Sequence, residues 1–359
     1  MKVLIVFNHP APYKVKLFNE MAKSIDVDVI FELEKAKNRT ESFYKYNKYE
    51  FNNIKLRLHP LAKENVWGGA LRRYIKKHHK EYDHIIMNGY SKLSEISAIK
   101  MMKRKSIPYI LMINGGIIHE ETRLKRYFKS KLISGASMYL SPNLESNKYL
   151  KFYGADESKI KLYKYSNVLE KEISKEPLDD EIKYQISLKY HLPYGKIFIN
   201  PGQFIARKNN MQLLSIFKNR QETLLLVGRG HLQKKYNKYI KDNNIHNVFI
   251  MDYLDEKQIK EVMKCATALI TLSKEDIFGH TILEALSSGL PVISSDKVIS
   301  ALETIHNGVN GYIISLDKED DINDAINNVI NLNYNDIIKS IDNHTIEQTS
   351  KDIIKDLSE

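Results

Sequence analysis

The amino-acid sequence predicts an α/β protein of two doubly wound domains, each a parallel sheet with helices on both faces. Three observations lead there. The chain has 359 residues, more than one compact core usually organises and enough for two domains of roughly 150–200 residues. Short apolar runs alternate with helix-period segments throughout. A polar stretch, Asn167–Pro193, interrupts that alternation once and sets expected domains of residues 1–166 and 167–359.

In the first half, the runs Val3–Phe7, Val27–Phe31, His84–Met87, Tyr109–Ile113 and Met138–Leu140 are short and nearly continuous, the pattern of strands buried on both faces. Helical patterns lie between them near Lys14–Ser24, Ser91–Lys103, Leu124–Ser134 and Leu144–Phe152. Lys35–Asn65, rich in Tyr, Asn and Lys, is expected to be irregular or to hold short strands. The second half repeats the alternation: strands at Ile197–Asn200, Leu224–Val227, Val248–Met251, Ala268–Thr271 and Val292–Ser294, with helices near Asn210–Lys218, Leu232–Asp242, Lys257–Lys264 and His280–Ser288. Asn335–Leu357 reads as a helical tail. Ligands of such sheets bind beyond the carboxyl ends of the strands, so two facing sheets imply a cleft.

Composition excludes several classes. Apolar residues at 43% and charged residues at 28% are those of an ordinary globular chain. The single cysteine, Cys265, excludes a disulfide framework and a multi-thiolate zinc site and fits a reducing compartment. Met1–Phe7 is apolar but too short for a signal peptide, and no 18-residue uncharged run exists to span a membrane. The expectation is a cytoplasmic protein, soluble or lying on the inner face of the plasma membrane.

The net charge of +11 is uneven: residues 1–166 carry +16 and residues 167–359 carry −5. A basic half implies an anionic partner, whether nucleic acid, a phosphorylated substrate or a bilayer surface. Arg123–Ile133 sets Leu124, Tyr127, Phe128 and Leu132 at helical spacing beside Arg123, Lys125, Arg126 and Lys129; Trp67–Lys80 repeats the theme. Such helices either lie at a membrane interface or pack their stripe on their own sheet. The −5 half and the lack of a recognised module argue against a nucleic-acid-binding protein.

Motifs narrow the chemistry. The first apolar run is followed by Asn8-His9-Pro10-Ala11-Pro12, not by the glycines of a dinucleotide fingerprint, and no P-loop is present. Gly228-Arg229-Gly230 reads as a turn, Asp26-Val27-Asp28 as a strand start, and His78-His79 as surface. No metal cluster is expected. Ser273–Ser295 is the informative segment: after the run Ala268–Thr271, a loop carries Glu275 and Asp276, and Phe278-Gly279 opens a helix bearing His280, Thr281 and Glu284. The free N–H groups of that helix start suit a diphosphate, and a carboxylate one to two turns later suits a ribose diol.

Asp276-Ile-Phe-Gly-x4-Glu284-Ala-Leu-Ser-Ser-Gly-Leu-Pro-Val resembles the Glu-x7-Glu signature of retaining GT-B glycosyltransferases of the family 4 type, with Asp276 where Glu is usual and Glu275 adjacent. Asn200-Pro-Gly-Gln-Phe-Ile-Ala-Arg-Lys208 is similar to that family's Gly-Arg-x4-Lys-Gly: Lys208 falls on the Lys position, Gln203 on the Arg position, and Arg207 is at hand to supply the charge. Softer matches are Leu226–Gly230, Asn247–Asp255 and Glu303–Tyr312. Ala11–Glu20 looks like the opening of members that act on lipid-linked sugars.

The resemblance implies a GT-B fold of two Rossmann-like domains, acceptor-binding then donor-binding, with a C-terminal helix crossing back to the first. It implies sugar transfer, with retention, from a nucleotide donor (UDP- or GDP-linked) to a hydroxyl of a saccharide, here expected to be polyprenyl-diphosphate-linked and destined for a surface polysaccharide. Lys208 and Arg207 would meet charge on the leaving diphosphate without a metal or other cofactor. Asp276 or Glu275 would contact the donor sugar, and Phe278, Gly279, His280, Thr281, Gly202 and Gln203 the sugar and diphosphate. Glu284 would hold the ribose, and Tyr253 and Leu254 the base. On the acceptor side, Asn8 and His9 at a strand's carboxyl end, the flexible Gly115-Gly116, and His119 are the candidates. Two alternatives stay open: a GT-B sugar-nucleotide epimerase or phosphorylase, and, less favoured, a basic nucleic-acid-binding protein.

Overall fold

The computed structural model describes residues 1–36, 41–44, 48–56 and 69–359. Trp67 and part of the Lys35–Asn65 segment lie outside them. The chain divides into two units: Met1–Asn167 together with Thr345–Glu359, and Val168–His344.

In the first unit, β1 (Lys2–Phe7), β2 (Asp26–Phe31), β3 (Asn52–Asn53), β4 (His84–Met87), β5 (Ile110–Met112), β6 (Met138–Ser141) and β7 (Ile160–Leu162) form one parallel sheet in the order β3-β2-β1-β4-β5-β6-β7. The helices α1 (Pro12–Ala22), α2 (Ala70–His78), α3 (Leu93–Arg104), α4 (Arg123–Ile133) and α5 (Leu144–Phe152) connect the strands. Pro12 sits in the first turn of α1, where its missing N–H costs nothing. Asp28, in the Asp-x-Asp pair, is a buried structural carboxylate: it accepts hydrogen bonds from the Tyr82 hydroxyl at 2.7 Å and the Asn52 amide at 2.8 Å.

In the second unit, β8 (Ile197–Pro201), β9 (Thr223–Val227), β10 (Val248–Met251), β11 (Ala268–Thr271), β12 (Val292–Ser295) and β13 (Gly311–Ile314) are parallel in the order β10-β9-β8-β11-β12-β13. Its helices are α6 (Asp180–Tyr190), α7 (Asn210–Phe217), α8 (Gln233–Asp242), α9 (Glu256–Met263), α10 (His280–Ser287), α11 (Ile299–Thr304), α12 (Glu319–Val329) and α13 (Tyr334–Lys339). Alternate residues of each strand enter opposite cores. Ile197, Ile199, Leu225 and Leu269 pack on one face, and Phe198, Leu224, Leu226 and Ile270 on the other. This is why these strands read as continuous apolar runs.

Three differences from the sequence reading have physical causes. The tail Asn335–Leu357 is not one helix: α13 stays in the second unit, and α14 (Ile346–Ser358), capped by the Thr345 hydroxyl, packs on α1 in the first. The polar stretch Asn167–Pro193 contains α6, which buries no side chain and so shows no apolar stripe. The strands β7 and β13 went unread, and β3 falls in the Lys35–Asn65 segment expected to be irregular or to hold short strands; all three are sheet edges, where a strand is short and half covered.

The loops after β8 and β9 interlock through main chain. Gly202 N donates to Val227 O at 2.9 Å and Phe204 N to Arg229 O at 2.9 Å. A Cβ on Gly228, at φ +145°, would lie 2.0 Å from Gly202 O. Gly228→Ala should therefore lower stability by about 1–3 kcal/mol through backbone strain alone, seen as a lower urea midpoint at unchanged slope. An unchanged midpoint would show that the loops are not locked together.

Candidate active site

Both strand orders run outward from a central pair, β1/β4 in one sheet and β8/β11 in the other. Loops leave such a pair in opposite directions, opening a crevice at the carboxyl edge. In the second unit the β8 loop carries Gly202, Gln203, Arg207 and Lys208, and the β11 loop carries Glu275 to Gly279.

Asp276 joins the two loops. Lys208 Nζ hydrogen-bonds its Oδ2, Arg207 Nη1 stands 3.6 Å from the same oxygen, and Gly279 N donates to its Oδ1 at 3.4 Å. Arg207 also donates to Glu275 O at 3.1 Å and accepts from Lys274 N at 2.8 Å. Burial pushes the Asp276 carboxyl up, but Lys208 and Arg207 outweigh it and hold it below the usual carboxylate range. Asp276 is thus the acid that meets both cations, while Glu275 meets Arg207 through its carbonyl. The stem of Lys208 passes beside Gly202, and Gln203 is half-buried in the same loop.

Gly279 adopts the left-handed conformation (φ +43°) and starts α10, where a Cβ would meet Ser300 and Val298. Phe278 stacks on His280 with ring centroids 5.2 Å apart, and Thr281 follows in the first turn. Glu284, half-buried on α10, interacts with Lys260 of α9. Lys260 pairs as well with Glu172 at 3.1 Å and Glu256 at 3.0 Å. Burial would lower the Lys260 pKa, and these carboxylates together raise it. Sequence reasoning missed Lys260, because two of its partners, Glu172 and Glu284, come from separate segments. After β10, the exposed Tyr253 has its N–H taken by Asp252 Oδ1 at 2.7 Å, and Leu254 packs toward the core. Arg229 binds Asp252 in a fork and, with that N–H, holds its carboxyl down at about 2.

The β1/β4 crevice of the first unit is also bridged by a lysine. Lys92 Nζ hydrogen-bonds Asn8 Oδ1 and pairs with Glu32 Oε2 at 3.0 Å. Ser94 Oγ donates to Glu32. Glu95 accepts the Ser91 and Lys92 N–H groups at 2.7 and 2.9 Å. Burial, and the neighbouring Glu32, push the Glu95 carboxyl up to about 7. Asn114 donates to Asn88 at 2.7 Å. His9 turns to Tyr44, its Nδ1 3.1 Å from the hydroxyl. The Gly116 backbone lies against the Tyr149 ring, and Gly115 before it has φ +120°. His119 is exposed between β5 and α4, and no described hydrogen bond or ion pair engages it. Lys92, Glu32 and Glu95 were not read from the sequence. Among the described residues, no group of three or more His, Cys, Asp or Glu side chains forms a metal cluster.

Comparison with known proteins bears on the fold and on the second unit's segment. Residues 191–349 match the family model for glycosyl transferases group 1. An uncharacterised glycosyltransferase of Methanocaldococcus jannaschii, MJ1178, is 24% identical over 240 residues, 64% of this chain and 61% of that protein. The chain thus spans less than two thirds of the length of this curated relative. Among solved structures, Anabaena HepE in complex with UDP superposes with a TM-score of 0.77 at 16% identity over 100% of both chains. The lipopolysaccharide outer core galactosyltransferase WaaB does so at 0.73 and 18%, covering 100% of this chain and 99% of that one. The fold is GT-B.

Glu95 makes a pH test of the first crevice. Its carboxyl is held near 7 when folded, against 4.5 ordinarily, so the folded state binds the extra proton between those values. Stability should therefore fall as pH rises from about 4.5 to 7, by on the order of 3 kcal/mol. Glu95→Gln should flatten that decline in thermal melts; a variant with the wild-type slope would remove Glu95 as its source.

Proposed function

We propose that this chain, with its group 1 glycosyltransferase segment, transfers a sugar from a nucleoside-diphosphate donor to a saccharide hydroxyl, with retention of anomeric configuration. The observation that carries the reading is the convergence of Lys208, Arg207 and the start of α10 on one carboxylate, Asp276. A diphosphate seated there meets two fixed cations and the positive end of a helix where leaving-group charge develops. Asp276, released from Lys208, is then placed to take a donor-sugar hydroxyl, and Glu284 the ribose diol. This division of labour asks for no divalent ion. UDP is the favoured leaving group, since HepE, with the same fold, was solved with UDP. WaaB, named for lipopolysaccharide, favours a cell-surface polysaccharide, with a polyprenyl-diphosphate-linked saccharide as acceptor.

A membrane-facing role for the first unit rests on α4. This helix buries only Ile133 and leaves Leu124, Tyr127 and Phe128 between 52% and 66% exposed among Arg123, Lys125, Arg126 and Lys131. Its apolar stripe is therefore not spent on its own sheet. No described helix is long and apolar enough to cross a membrane. A basic, aromatic helix of this kind suits the surface of an anionic bilayer, at about 1 kcal/mol per basic residue, and supports a location on the cytoplasmic leaflet.

Two measurements test these readings. Saturation with UDP at about 100 times its dissociation constant should stabilise the protein by about 2.7 kcal/mol, GDP and ADP less, and Glu284→Ala should abolish the shift. No shift with any nucleotide would overturn the donor site; turnover of a nucleotide sugar without acceptor would favour an epimerase. In flotation at low salt, phosphatidylglycerol vesicles should retain the protein and phosphatidylcholine vesicles should not. Tyr127→Ser with Phe128→Ser should release it; unchanged retention would exclude α4.

A further inference from the structure

The carboxyl edge of the first sheet carries an arrangement that the donor-site reading does not use. Three neighbouring strands each run straight into an asparagine: Asn8 after β1, Asn88 after β4, and Asn114 just past β5. Asn8 and Asn88 flank the crevice where the strand order reverses. Two separate links fix these side chains. Lys92 Nζ hydrogen-bonds Asn8 Oδ1, and Asn114 Nδ2 donates to Asn88 Oδ1 at 2.7 Å, with the return bond at 3.4 Å.

These bonds decide which groups remain available. With Oδ1 of Asn8 engaged by Lys92, its Nδ2 keeps two donors for a ligand; each carboxamide offers both a donor and an acceptor. Asn8 and Asn114 are half-buried, whereas Asn88 is 5% exposed and acts as their support. The charge of Lys92 is cancelled within the protein. Glu32, 3.0 Å away with its side chain 1% exposed, faces that one cation. Glu95, behind it and likewise buried, has its carboxyl pushed up to about 7 by burial and by Glu32, so it adds no positive charge to the edge. An edge with amides outward and its one cation neutralised is poor for phosphate, which needs uncompensated positive charge. It is well suited to hydroxyl groups that donate and accept at once.

We propose that Asn8, Asn114 and Lys92 form the acceptor subsite and that it reads neutral sugar hydroxyls, not a phosphate. The inference rests on the glycosyltransferase reading and narrows it. Any phosphate of the acceptor is then held elsewhere, and Lys92 is a positioning residue that orients Asn8.

The test uses the full chain with saturating UDP and, as probes, the methyl glycosides of glucose, galactose and N-acetylglucosamine, with sn-glycerol 3-phosphate as the anionic comparison. Saturation-transfer NMR and calorimetry should show saturable binding of at least one glycoside and no competition by glycerol phosphate. Asn8→Ala and Asn114→Ala should each weaken the glycoside roughly two- to tenfold, the range of one lost hydrogen bond, with UDP affinity unchanged as proof of folding. Glu32→Gln, which unmasks Lys92, should create competition by glycerol phosphate. Absence of glycoside binding while UDP still binds, glycoside affinity indifferent to Asn8 and Asn114, or preferential binding of glycerol phosphate to the wild type would each overturn the subsite and leave the donor reading standing. Failure of UDP itself to bind would instead strike the donor reading.

Discussion

A parallel sheet that winds outward in both directions from two central strands cannot close its carboxyl edge with its own connections. The loops diverge, and the gap between them must be filled by side chains or by a ligand. In both units of this protein a lysine fills it. Lys208, from the β8 side, reaches Asp276 on the β11 side; Lys92, from the β4 side, reaches Asn8 on the β1 side. The two bridges share a geometry and differ in their electrostatic balance, and that difference separates the roles of the units.

At Asp276 two cations face one carboxylate, so positive potential is left over. On the proposed reading, a diphosphate entering there exchanges one anionic partner for another, and Lys208 need not be stripped of a counter-ion first. Because the salt link is largely covered, the exchange is governed more by geometry than by bulk screening. At Lys92 the sum runs the other way. One cation faces Glu32, with the Glu95 carboxyl close behind. Potential there is near neutral, and what remains is directional hydrogen bonding.

The central strands were legible because both of their faces are covered, which forces runs such as Leu4-Ile5-Val6 and Leu269-Ile270. Edge strands carry no such obligation: β3 is two asparagines, and Leu162 of β7 is half exposed. The site divides in the same way. Asp276, Lys208, Phe278-Gly279 and Glu284 lie within two short segments whose spacing a helix and a loop impose, so they were readable. The Lys92–Glu32 pair and the Lys260–Glu172 pair are brought together only by the fold, and spacing along the chain holds no trace of them. The exposure of α4 was equally hidden, since a basic helix with an apolar stripe reads alike whether or not that stripe is covered.

The position of α14 carries a consequence for biosynthesis. The first unit consists of residues 1–167 and 345–359, and α14 lays Ile346, Ile353 and Leu357 into it beside α1. During translation the whole second unit emerges before that helix does. The amino-terminal half therefore leaves the ribosome with one flank uncovered and waits some 180 residues, on the order of 10–30 s at ordinary elongation rates, for its last element. Folding of the two halves is thereby ordered in reverse: the later-made unit is complete before the first unit receives α14.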